Sequence, residues 1–536
     1  HRMASGIGTS DVQTFRQTNR RRSAPAVLAI PDLDFFAEKW DNGEQIKVMA
    51  KKINGKEYEA WSKNELIKEI VKIKSTTYGL VWHRDLPEEK IDILVNRDAR
   101  TPSEMFPNEM AGKPFPVLKE VKGKAIESDK SKLVNLLIEG DNYHSLAVLN
   151  FTHREAVDLI YIDPPYNTGN RSWRYNNNYI EKDDSFRHSK WLAFMEKRLK
   201  LARNLLKPEG IIVITIDDYE MFPLGMLADE IFGEENRLAN ITVLNKKSGR
   251  TTDKFFATCH EYYLVYAKNA ERANIYLIDR SDEDVATYKY KDELSAYKWR
   301  DFLRTGGFST PEERPNSYYP IYFNEISGAI SIEKGKDLVE IFPIDSKGQK
   351  RVWRQTRPSL LKLIEIGDIK IEKNAKSKYS VRIKDRLEEG TKPKTVWDNP
   401  RYDAATHGTK LLESILGESK MFDFPKSLYA VLDTIKIITK DKKDAVILDF
   451  FAGSGTTGHA VLELNKEDGG RRSFILCTND ENAICREVCY PRVKKVIGGY
   501  KSQKGETIEG LGGNLKYYTT DFVEAEPTDK NKRKLV

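Results

Sequence analysis

The sequence predicts an α/β protein in which two separate segments of the chain build one parallel sheet and an inserted domain lies between them. Apolar strands that end in acids alternate with helices between about residues 134 and 218, and the same rhythm returns after residue 427. From about 245 to 399 the pattern is irregular and rich in Lys, Arg, Tyr and Trp. Apolar strands that alternate with helices indicate a parallel sheet covered on both faces.

The first segment is predicted to contribute three strands and two helices. Each strand is a short apolar run, and the helices have apolar residues that recur at spacings of three and four. The strands are VNLLIEGD at 134–141, DLIYID at 158–163 and GIIVITIDD at 210–218; the helices are NYHSLAVLNF at 142–151 and KWLAFMEKRLKLARNLL at 190–206, which KPEG closes. In such sheets ligands bind beyond the carboxyl ends of the strands, where these acids lie.

The second segment is predicted to resume the same sheet. SLYAVLDTIKII at 427–438 predicts a helix, DAVILDFFAGSGTTGHAVLEL at 444–464 a strand, a glycine turn and a helix, and RSFILCTNDE at 472–481 a strand that again ends in acids. We therefore expect the first segment at residues 116–244, the inserted domain at 245–399 and the second segment at 400–523.

The two ends of the chain are predicted to lie outside this fold. Residues 1–27 show no hydrophobic period and are expected to be a disordered tail or the remnant of an expression tag. A mostly helical region is expected at 28–115, a proline-rich linker at 106–116 and a C-terminal tail at 524–536.

Composition excludes several classes of protein. The four cysteines lack the number and spacing of a disulfide framework or a structural zinc site, so no metal is expected. No apolar run reaches about 18 residues, so no membrane-spanning helix is predicted. A phosphate-binding G-x-x-x-x-G-K-[ST] loop is absent, which argues against an ATP-driven motor. The formal net charge of +7 permits a polyanionic partner.

The glycine turn FFAGSGTTGHA predicts a nucleotide-like cofactor. Gly453, Gly455 and Gly458 have the G-x-G-x-x-G spacing between a strand and a helix, and Asp480 follows at roughly the twenty residues expected of a ribose-binding acid. A dinucleotide and S-adenosylmethionine both fit this pattern. Asp449 favours S-adenosylmethionine, because a carboxylate before the turn would repel a pyrophosphate and would suit an ammonium group.

The stretch DPPY, residues 163–166, predicts a holder for an amino group on a nucleobase. Asp163 can accept one N–H of an exocyclic amine, and the Pro164 carbonyl, held in one direction by the Pro164–Pro165 pair, can accept the other. Tyr166 offers a flat face on which an extruded base can stack. Methyl transfer from a sulfonium then needs only in-line approach and exclusion of water.

DPPY together with FAGSGTT resembles the amino-group DNA methyltransferases, in the motif order of their β class. LIEGDNYHSLAVLN, IYIDPPYNTGN, HSKWLAFMEKRLKLARNLL, FLRTGGFSTPEERPNSYYPI and CYPRVKKVIGGY further resemble the Mod subunits of type III restriction-modification systems and their stand-alone relatives. The resemblance spans residues 115–523. It implies a Rossmann-like, S-adenosylmethionine-dependent methyltransferase sheet and N6-methylation of adenine in duplex DNA, with base flipping.

The resemblance also implies site residues. The catalytic motif would be Asp163, Pro164, Pro165 and Tyr166. The cofactor pocket would comprise Asp449, Phe451, Gly453, Gly455, Thr456, either Asp480 or Glu481 for the ribose, and in addition Asp141 and Lys426.

The insert at 245–399 is expected to recognise the DNA target. Its basic stretches NKKSGR, KWRDFLRTGG and KRVWRQTRPS can bind phosphates and read guanine edges. The resemblance suggests a homodimer and a separate restriction (Res) subunit as partners, in a cytoplasmic, nucleoid-associated protein of a prokaryote or phage. Methylation of cytosine N4 or of RNA, and a non-catalytic DNA-binding protein that retains this fold, remain alternatives.

Overall fold

The computed structural model describes residues 62–63, 115–128, 133–168, 170–175, 178–181, 187–373, 378–503 and 505–523. Every helix and strand named below lies in the part of the chain from Thr77 to Val536. The predicted N-terminal tail, the predicted C-terminal tail and almost all of the predicted helical region lie outside the described residues.

One large sheet, of 11 described strands, organises the protein. Along the chain these strands are β1 (Phe115–Glu120), β2 (Ile126–Glu127), β3 (Val134–Glu139), β4 (Val157–Ile162), β5 (Leu206–Ile216), β6 (Arg237–Val243), β7 (Glu261–Ala267), β8 (Val396–Trp397), β9 (Val446–Asp449), β10 (Ser473–Thr478) and β11 (Asn514–Val523). Their order across the sheet is β1-β11-β3-β10-β9-β4-β5-β7-β6-β8, and β2 pairs with β11.

The centre of the sheet is parallel and its flanks are mixed. The strands from β11 through β3, β10, β9 and β4 to β5 all pair in parallel. The second segment supplies β9 and β10, which lie between β3 and β4 of the first, so the prediction of one sheet from two segments is confirmed. The prediction of a wholly parallel sheet is wrong at the flanks, because β1, β2 and β7 pair antiparallel with their neighbours.

Helices cover both faces of the sheet. Successive strand residues point to opposite faces, so Leu159 and Tyr161 enter one apolar core and Ile160 and Ile162 enter the other. The α-helices are α1 (Asn142–Thr152), α2 (Arg187–Leu205), α3 (Met221–Phe232), α4 (Asp282–Ala286), α5 (Arg357–Glu365), α6 (Leu411–Leu416), α7 (Leu428–Thr439), α8 (Thr456–Asp468) and α9 (Tyr490–Gly498). Helices α1, α2 and α3 pack in the second of these cores, whereas α7, α8 and α9 pack in the first.

Short helical turns join these elements. The 3-10 turns span Lys122–Lys124, Glu234–Asn236, Pro315–Ser317, Pro400–Tyr402 and Glu481–Ala483, and π-helical turns span Ala405–Lys410 and Ile484–Cys489. Within the described ranges, no helix is long and apolar enough to cross a membrane.

The insert has small sheets and an apolar core of its own. A backbone bridge between Ile278 and Thr391 closes it at its base. Its core includes Phe302, Trp353 and Leu360. Its strands are Tyr290–Lys291, Ala296–Asp301, Tyr379–Arg386 and Ile369–Lys373 in one sheet, Leu303–Arg304 with Val352–Trp353, and Ile321–Phe323 between Ile330–Ser331 and Val339–Ile341. Two further hairpins pair Asn170–Tyr175 with Asn178–Glu181 and Gly499–Lys501 with Thr507–Glu509.

Three local predictions differ from the structure. KPEG, expected to close a helix, falls within the bounds of β5, at an irregularity in the register with β4 between the pairs Val157–Leu206 and Leu159–Ile211. Phe115 and Pro116, expected in a linker, begin β1 because β11 supplies a pairing partner. Strand β7 lies inside the predicted insert yet pairs with β5, so the main sheet continues past the predicted boundary at residue 245.

Candidate active site

Asp163 follows β4 at the carboxyl edge of the sheet, and its side chain is 28% exposed. Its Oδ1 accepts a hydrogen bond of 2.6 Å from the Thr215 hydroxyl and lies 2.9 Å from the Lys426 ammonium. Thr215 reaches it because β4 and β5 are neighbours in the sheet. Both contacts end on Oδ1, and no donor in the described part of the chain reaches Oδ2. One carboxylate oxygen is therefore anchored and the other is available.

Lys426 connects two acids in this site. Its ammonium lies 2.9 Å from Oε2 of Glu261 as well as 2.9 Å from Asp163. The Lys426 side chain is 12% exposed and that of Glu261 only 5%. Burial opposes the charge on the lysine, but the two carboxylates outweigh burial and raise the pKa of Lys426. The cluster therefore holds two negative charges and one positive charge.

Tyr166 is anchored by the same cluster. Its hydroxyl lies 3.2 Å from the Thr215 hydroxyl and 3.2 Å from Oε2 of Glu261, and it accepts a hydrogen bond of 2.5 Å from Lys426. Burial, followed by the nearby acids Asp163 and Glu261, raises the pKa of Tyr166 well above its ordinary value. The phenol therefore stays protonated, and its hydroxyl fixes the orientation of the ring.

The two prolines of the motif differ in their carbonyl groups. The Pro165 carbonyl accepts a hydrogen bond of 2.7 Å from the indole of Trp191, which lies on α2. Within the described ranges no donor reaches the Pro164 carbonyl. The bond from Trp191 secures the turn to α2, while the Pro164 carbonyl stays available as an acceptor.

The glycine turn connects β9 to α8. Gly453 has φ +48° and Gly455 has φ +76°, which are conformations that glycine adopts at little cost. A Cβ atom on Gly458 would lie 3.0 Å from Leu476 on β10 and 3.3 Å from Phe474. The first two glycines therefore serve the turn, and the third allows close packing of helix on strand, the division expected of this motif.

Asp449 fixes the geometry of this turn. Its Oδ1 accepts a hydrogen bond of 3.0 Å from the Phe451 N–H, and its Oδ2 accepts one of 2.6 Å from the Thr457 hydroxyl. The residue is 3% exposed, and burial raises its pKa to about 7. The structure thus shows Asp449 engaged inside the turn, and its predicted contact with a cofactor ammonium stays a prediction.

The remaining predicted cofactor residues lie at neighbouring strand ends. Asp141 follows β3, caps α1 by accepting from the Tyr143 N–H at 2.7 Å, and is 43% exposed. Asp480 follows β10 and accepts from both the N–H and the guanidinium of Arg486. Glu481, the other ribose candidate, begins the 3-10 turn that follows. Since β3, β10 and β9 are adjacent, these acids and the glycine turn share one edge of the sheet.

Phe451 lies between the end of β9 and the glycines of the turn, at this same edge. It lies 5.9 Å from Phe194 of α2 and 5.2 Å from Phe450, measured between ring centroids. Lys426, which the sequence predicted for the cofactor pocket, contacts the catalytic-motif residues Asp163 and Tyr166, and its place at the cofactor stays a prediction.

Arg492 donates hydrogen bonds to residues of the glycine turn and was not predicted from the sequence. It is fully buried and donates to the hydroxyls of Ser454 at 3.1 Å and Thr456 at 2.8 Å. Burial lowers the pKa of Arg492 to about 10, which leaves the guanidinium charged at neutral pH. The predicted residue Thr456 is thereby held in place, with its hydroxyl oxygen occupied as an acceptor.

A second buried acid, Glu220, supports the catalytic loop. Its Oε1 accepts from the side-chain amide of Asn167, the residue after Tyr166, at 2.5 Å and lies 2.6 Å from Nδ1 of His188. Asn167 has φ +55°, a left-handed conformation that needs such support. Burial raises the pKa of Glu220 to about 8, so it is largely protonated at neutral pH.

Sequence reasoning missed Thr215 and Glu261. It sought acids at the ends of strands, whereas Glu261 begins β7, and an antiparallel strand brings its first residue to the edge where its parallel neighbours end. A signal was present, since Glu261 is the only charged residue of the apolar strand EYYLVYA. Among the residues that the structure describes, no group of His, Cys, Asp and Glu could hold a metal ion.

Comparisons with known proteins identify the family of the chain. Residues 157–488 match the family described as DNA methylase. The EcoPI Mod subunit of Escherichia phage P1, a type III restriction-modification enzyme, is 35% identical over 400 residues, which cover 69% of this chain and 61% of that subunit. The type II methyltransferase M.KpnI of Klebsiella pneumoniae is 36% identical over 392 residues, which cover 72% of this chain and 88% of that enzyme.

Solved structures resemble the chain more weakly. PvuII DNA methyltransferase (cytosine-N4-specific) has a TM-score of 0.35 and 11% identity, with coverage of 70% of this chain and 96% of that one. The chain spans 61% of the EcoPI Mod subunit. The family match covers more than half of the 536 residues, and the chain covers most of M.KpnI. The chain therefore belongs to the DNA methylase family, and the resemblance to Mod subunits that its motifs predict is confirmed.

Proposed function

We propose that the protein transfers a methyl group from S-adenosylmethionine to N6 of adenine at a specific sequence in duplex DNA. One observation carries the proposal: Oδ2 of Asp163 and the Pro164 carbonyl, which no donor in the described part of the chain reaches, are two acceptors in consecutive residues at the sheet edge. An exocyclic amine has two N–H groups to donate. Engaging both leaves the lone pair on nitrogen directed away from the ring and available for attack.

The donor set at the neighbouring strand ends fits S-adenosylmethionine. A cofactor with ribose hydroxyls and an ammonium group needs acceptors, and Asp141, Asp480 and Glu481 provide carboxylates beside the glycine turn. Phe451 adds an aromatic ring at the same edge. When bound there, the cofactor supplies a methyl group on a positively charged sulfur.

The chain's own residues then account for orientation and for the proton. As the N6–methyl bond forms, the adenine amine becomes positively charged and must lose one proton. Asp163 holds that proton at Oδ2, because Thr215 and Lys426 already occupy Oδ1. Lys426 holds Oδ1 of Asp163 beside Glu261 and offsets the repulsion between the two carboxylates, which keeps Oδ2 in position for the amine. Tyr166, with its hydroxyl fixed, presents its ring to the turned-out base.

We further propose that the insert selects the DNA sequence. Burial lowers the pKa of Arg354, and the positive charges of Arg300 and Arg304 lower it further. The three arginines therefore lie close together. Such a cluster on the insert suits phosphate binding. Trp353, in contrast, stacks on Phe302 in the core, with ring centroids 5.5 Å apart, and is too buried to meet a base. Phosphate contacts and arginine readout, rather than stacking, are therefore the contribution proposed for this surface.

The test is to map modified bases after incubating genomic DNA with the protein and S-adenosylmethionine, by single-molecule sequencing. N6-methyladenine in one sequence context is expected, and Asp163→Ala should abolish it while calorimetry shows cofactor affinity unchanged. Modified cytosine would replace the base assignment, and methylated adenine without any context would contradict the recognition role of the insert.

Partners and location extend the proposal. Mod subunits are named as parts of type III restriction-modification enzymes. We propose that this chain likewise binds a restriction (Res) subunit, forms a homodimer on DNA and resides with the nucleoid. Sedimentation of the protein with and without duplex DNA tests self-association, and a strictly monomeric active complex would contradict it.

A further inference from the structure

The loop between β6 and β7, residues 244–260, presents two adjacent phenylalanines to solvent. Phe255 is 82% exposed and Phe256 is 90% exposed. Two neighbouring aromatic rings at such exposure are costly to keep in water and are typical of a surface that meets a partner.

The loop holds these rings in a defined shape. The Lys246 N–H donates to the Cys259 carbonyl at 3.2 Å, and the Arg250 N–H donates to the Thr258 carbonyl at 2.9 Å, so the two arms of the loop are paired. At the tip, the Thr258 N–H donates to the carboxylate of Asp253 at 2.9 Å. The phenylalanines lie between these last two residues and project from a tip that is fixed by its own hydrogen bonds.

The base of the loop is part of the candidate active site. Asn245 donates to Oε2 of Glu261 at 3.0 Å, the same oxygen that contacts Lys426 and Tyr166. Burial raises the pKa of Asp217, at the end of β5, to about 6, and the positive charges of Arg250 and Lys426 partly offset this rise. Arg250 therefore lies near Asp217. The base of the loop therefore adjoins the cluster that anchors Asp163 and Tyr166.

The charge of the loop matches a nucleic acid. It carries four basic residues and one acid, and the basic residues Lys246, Lys247, Arg250 and Lys254 are all exposed. The Lys254 ammonium lies 5.1 Å from the centroid of the Phe255 ring. Apolar rings flanked by cations fit the stacked bases and phosphates of one duplex better than they fit an apolar protein surface.

We propose that Phe255 and Phe256 form a wedge that enters the base stack of duplex DNA and fills the gap left when the target base turns into the site. The proposal rests on the proposed function and deepens it by assigning residues to the base-turning step. Apolar side chains inserted between base steps unstack them, and a base that leaves the duplex loses its pairing and stacking. A wedge offsets that loss by covering the bases that remain.

The test compares paired and mismatched substrates. The double variant Phe255→Ala/Phe256→Ala should slow single-turnover methylation of a correctly paired target duplex by about tenfold or more, equivalent to about 1.4 kcal/mol. A mismatch opposite the target adenine already weakens its pairing, so on that duplex the variant should recover most of its rate. Phe255→Leu/Phe256→Leu keeps apolar bulk and should retain most activity. Ile508→Ala, an apolar residue 38% exposed on the strand Thr507–Glu509 and outside the insert, is the matched control and should change neither rate.

A binding measurement separates this inference from the proposed function. The wild-type protein should bind a duplex with one central abasic site more tightly than the intact duplex, and the double alanine variant should lose that preference. This readout needs neither a target sequence nor methyl transfer, so it holds even if no methylation is found. Equal losses on paired and mismatched duplexes, or an unchanged abasic preference, would overturn the wedge. Dissociation of an oligomer with DNA handling intact would instead assign the rings to a subunit contact.

Discussion

Lys426→Met removes the ammonium at the centre of the site and keeps an unbranched side chain that can fill the same space. In the wild-type protein this ammonium lies 2.9 Å from both Asp163 and Glu261. Without it, two carboxylates remain in a largely buried cluster, and among the described residues their side-chain donors are the Thr215 and Tyr166 hydroxyls and the Asn245 amide. The variant therefore tests whether Lys426 acts on the catalytic motif or on the cofactor.

The size of the effect follows from the charges. Two unit charges about 4 Å apart interact by about 4 kcal/mol at an effective dielectric constant near 20, and breaking a buried pair costs about 3–5 kcal/mol. Lys426 is 12% exposed and Asp163 is 28% exposed, so solvent screens only part of this interaction. If about 3–4 kcal/mol appears in the barrier, the chemical step slows by about 10²–10³-fold.

Two assays separate the roles. Single-turnover methyl transfer to the mapped target duplex should show the loss, whereas calorimetric affinity for S-adenosylmethionine should stay within about threefold of wild type. The opposite result, lost cofactor affinity with an intact chemical step, would refute this reasoning and restore Lys426 to the cofactor pocket.

A double variant sharpens the test. Glu261→Gln removes the second negative charge and keeps a side chain of the same shape. If charge imbalance causes the loss, Lys426→Met/Glu261→Gln should be more active than Lys426→Met alone. The second substitution would then restore part of the rate that the first one removes, so the two effects would not add. Additive losses would mean that the two residues act separately.

Three further predictions follow from other parts of the structure. Gly455→Trp should lower affinity for S-adenosylmethionine in calorimetry, since Gly455 has φ +76° and a Cβ there would already lie 3.1 Å from the Cys489 sulfur; unchanged affinity in a variant whose thermal unfolding matches wild type would contradict the pocket. Glu220 has a folded-state pKa raised from 4.5 to about 8, so its contribution to stability is fully present below about pH 4.5 and is lost as pH rises to about 8. As pH rises from about 4.5 to about 8, the free energy of unfolding of Glu220→Gln should therefore increase relative to that of wild type, as measured by chemical unfolding. A difference that stays constant across that range would contradict the buried, protonated state. Arg304→Ala should weaken DNA binding and reduce the slope of log affinity against log salt by about one, whereas Arg272→Ala, a partly exposed arginine beyond the far end of β7, should leave that slope unchanged.

The local parts of the fold were readable from the sequence. The strand, turn and helix at residues 444–464 appear as Val446–Asp449, the glycine turn and Thr456–Asp468. The helix predicted at 427–438 is Leu428–Thr439. These predictions succeed because apolar periodicity and glycine spacing act over a few residues, the range within which a helix or a turn forms.

The boundaries and flanks of the sheet were harder to predict. KPEG has the composition of a turn, yet it falls within β5, where the register with β4 shifts between the pairs Val157–Leu206 and Leu159–Ile211. The sequence predicts that β7 belongs to the insert, but β7 pairs with β5 of the main sheet. The residues of a strand do not indicate which sheet the strand will join. Tertiary pairing overrides local preference at such positions.

The sequence by itself determined the chemistry of the catalytic edge: an acid, two prolines and a tyrosine after one strand, and a glycine turn with its acids after others. Only the tertiary structure decided which distant residues complete the site. Lys426 is separated by 165 residues from Glu261 and by 260 from Tyr166, and Thr215 by 52 from Asp163. These contacts depend on the order and direction of the strands. Long-range pairing sets both, through the parallel crossovers and the antiparallel strand β7. A carboxylate that anchors the lysine from the first residue of β7 therefore becomes visible only when β7 lies beside β5.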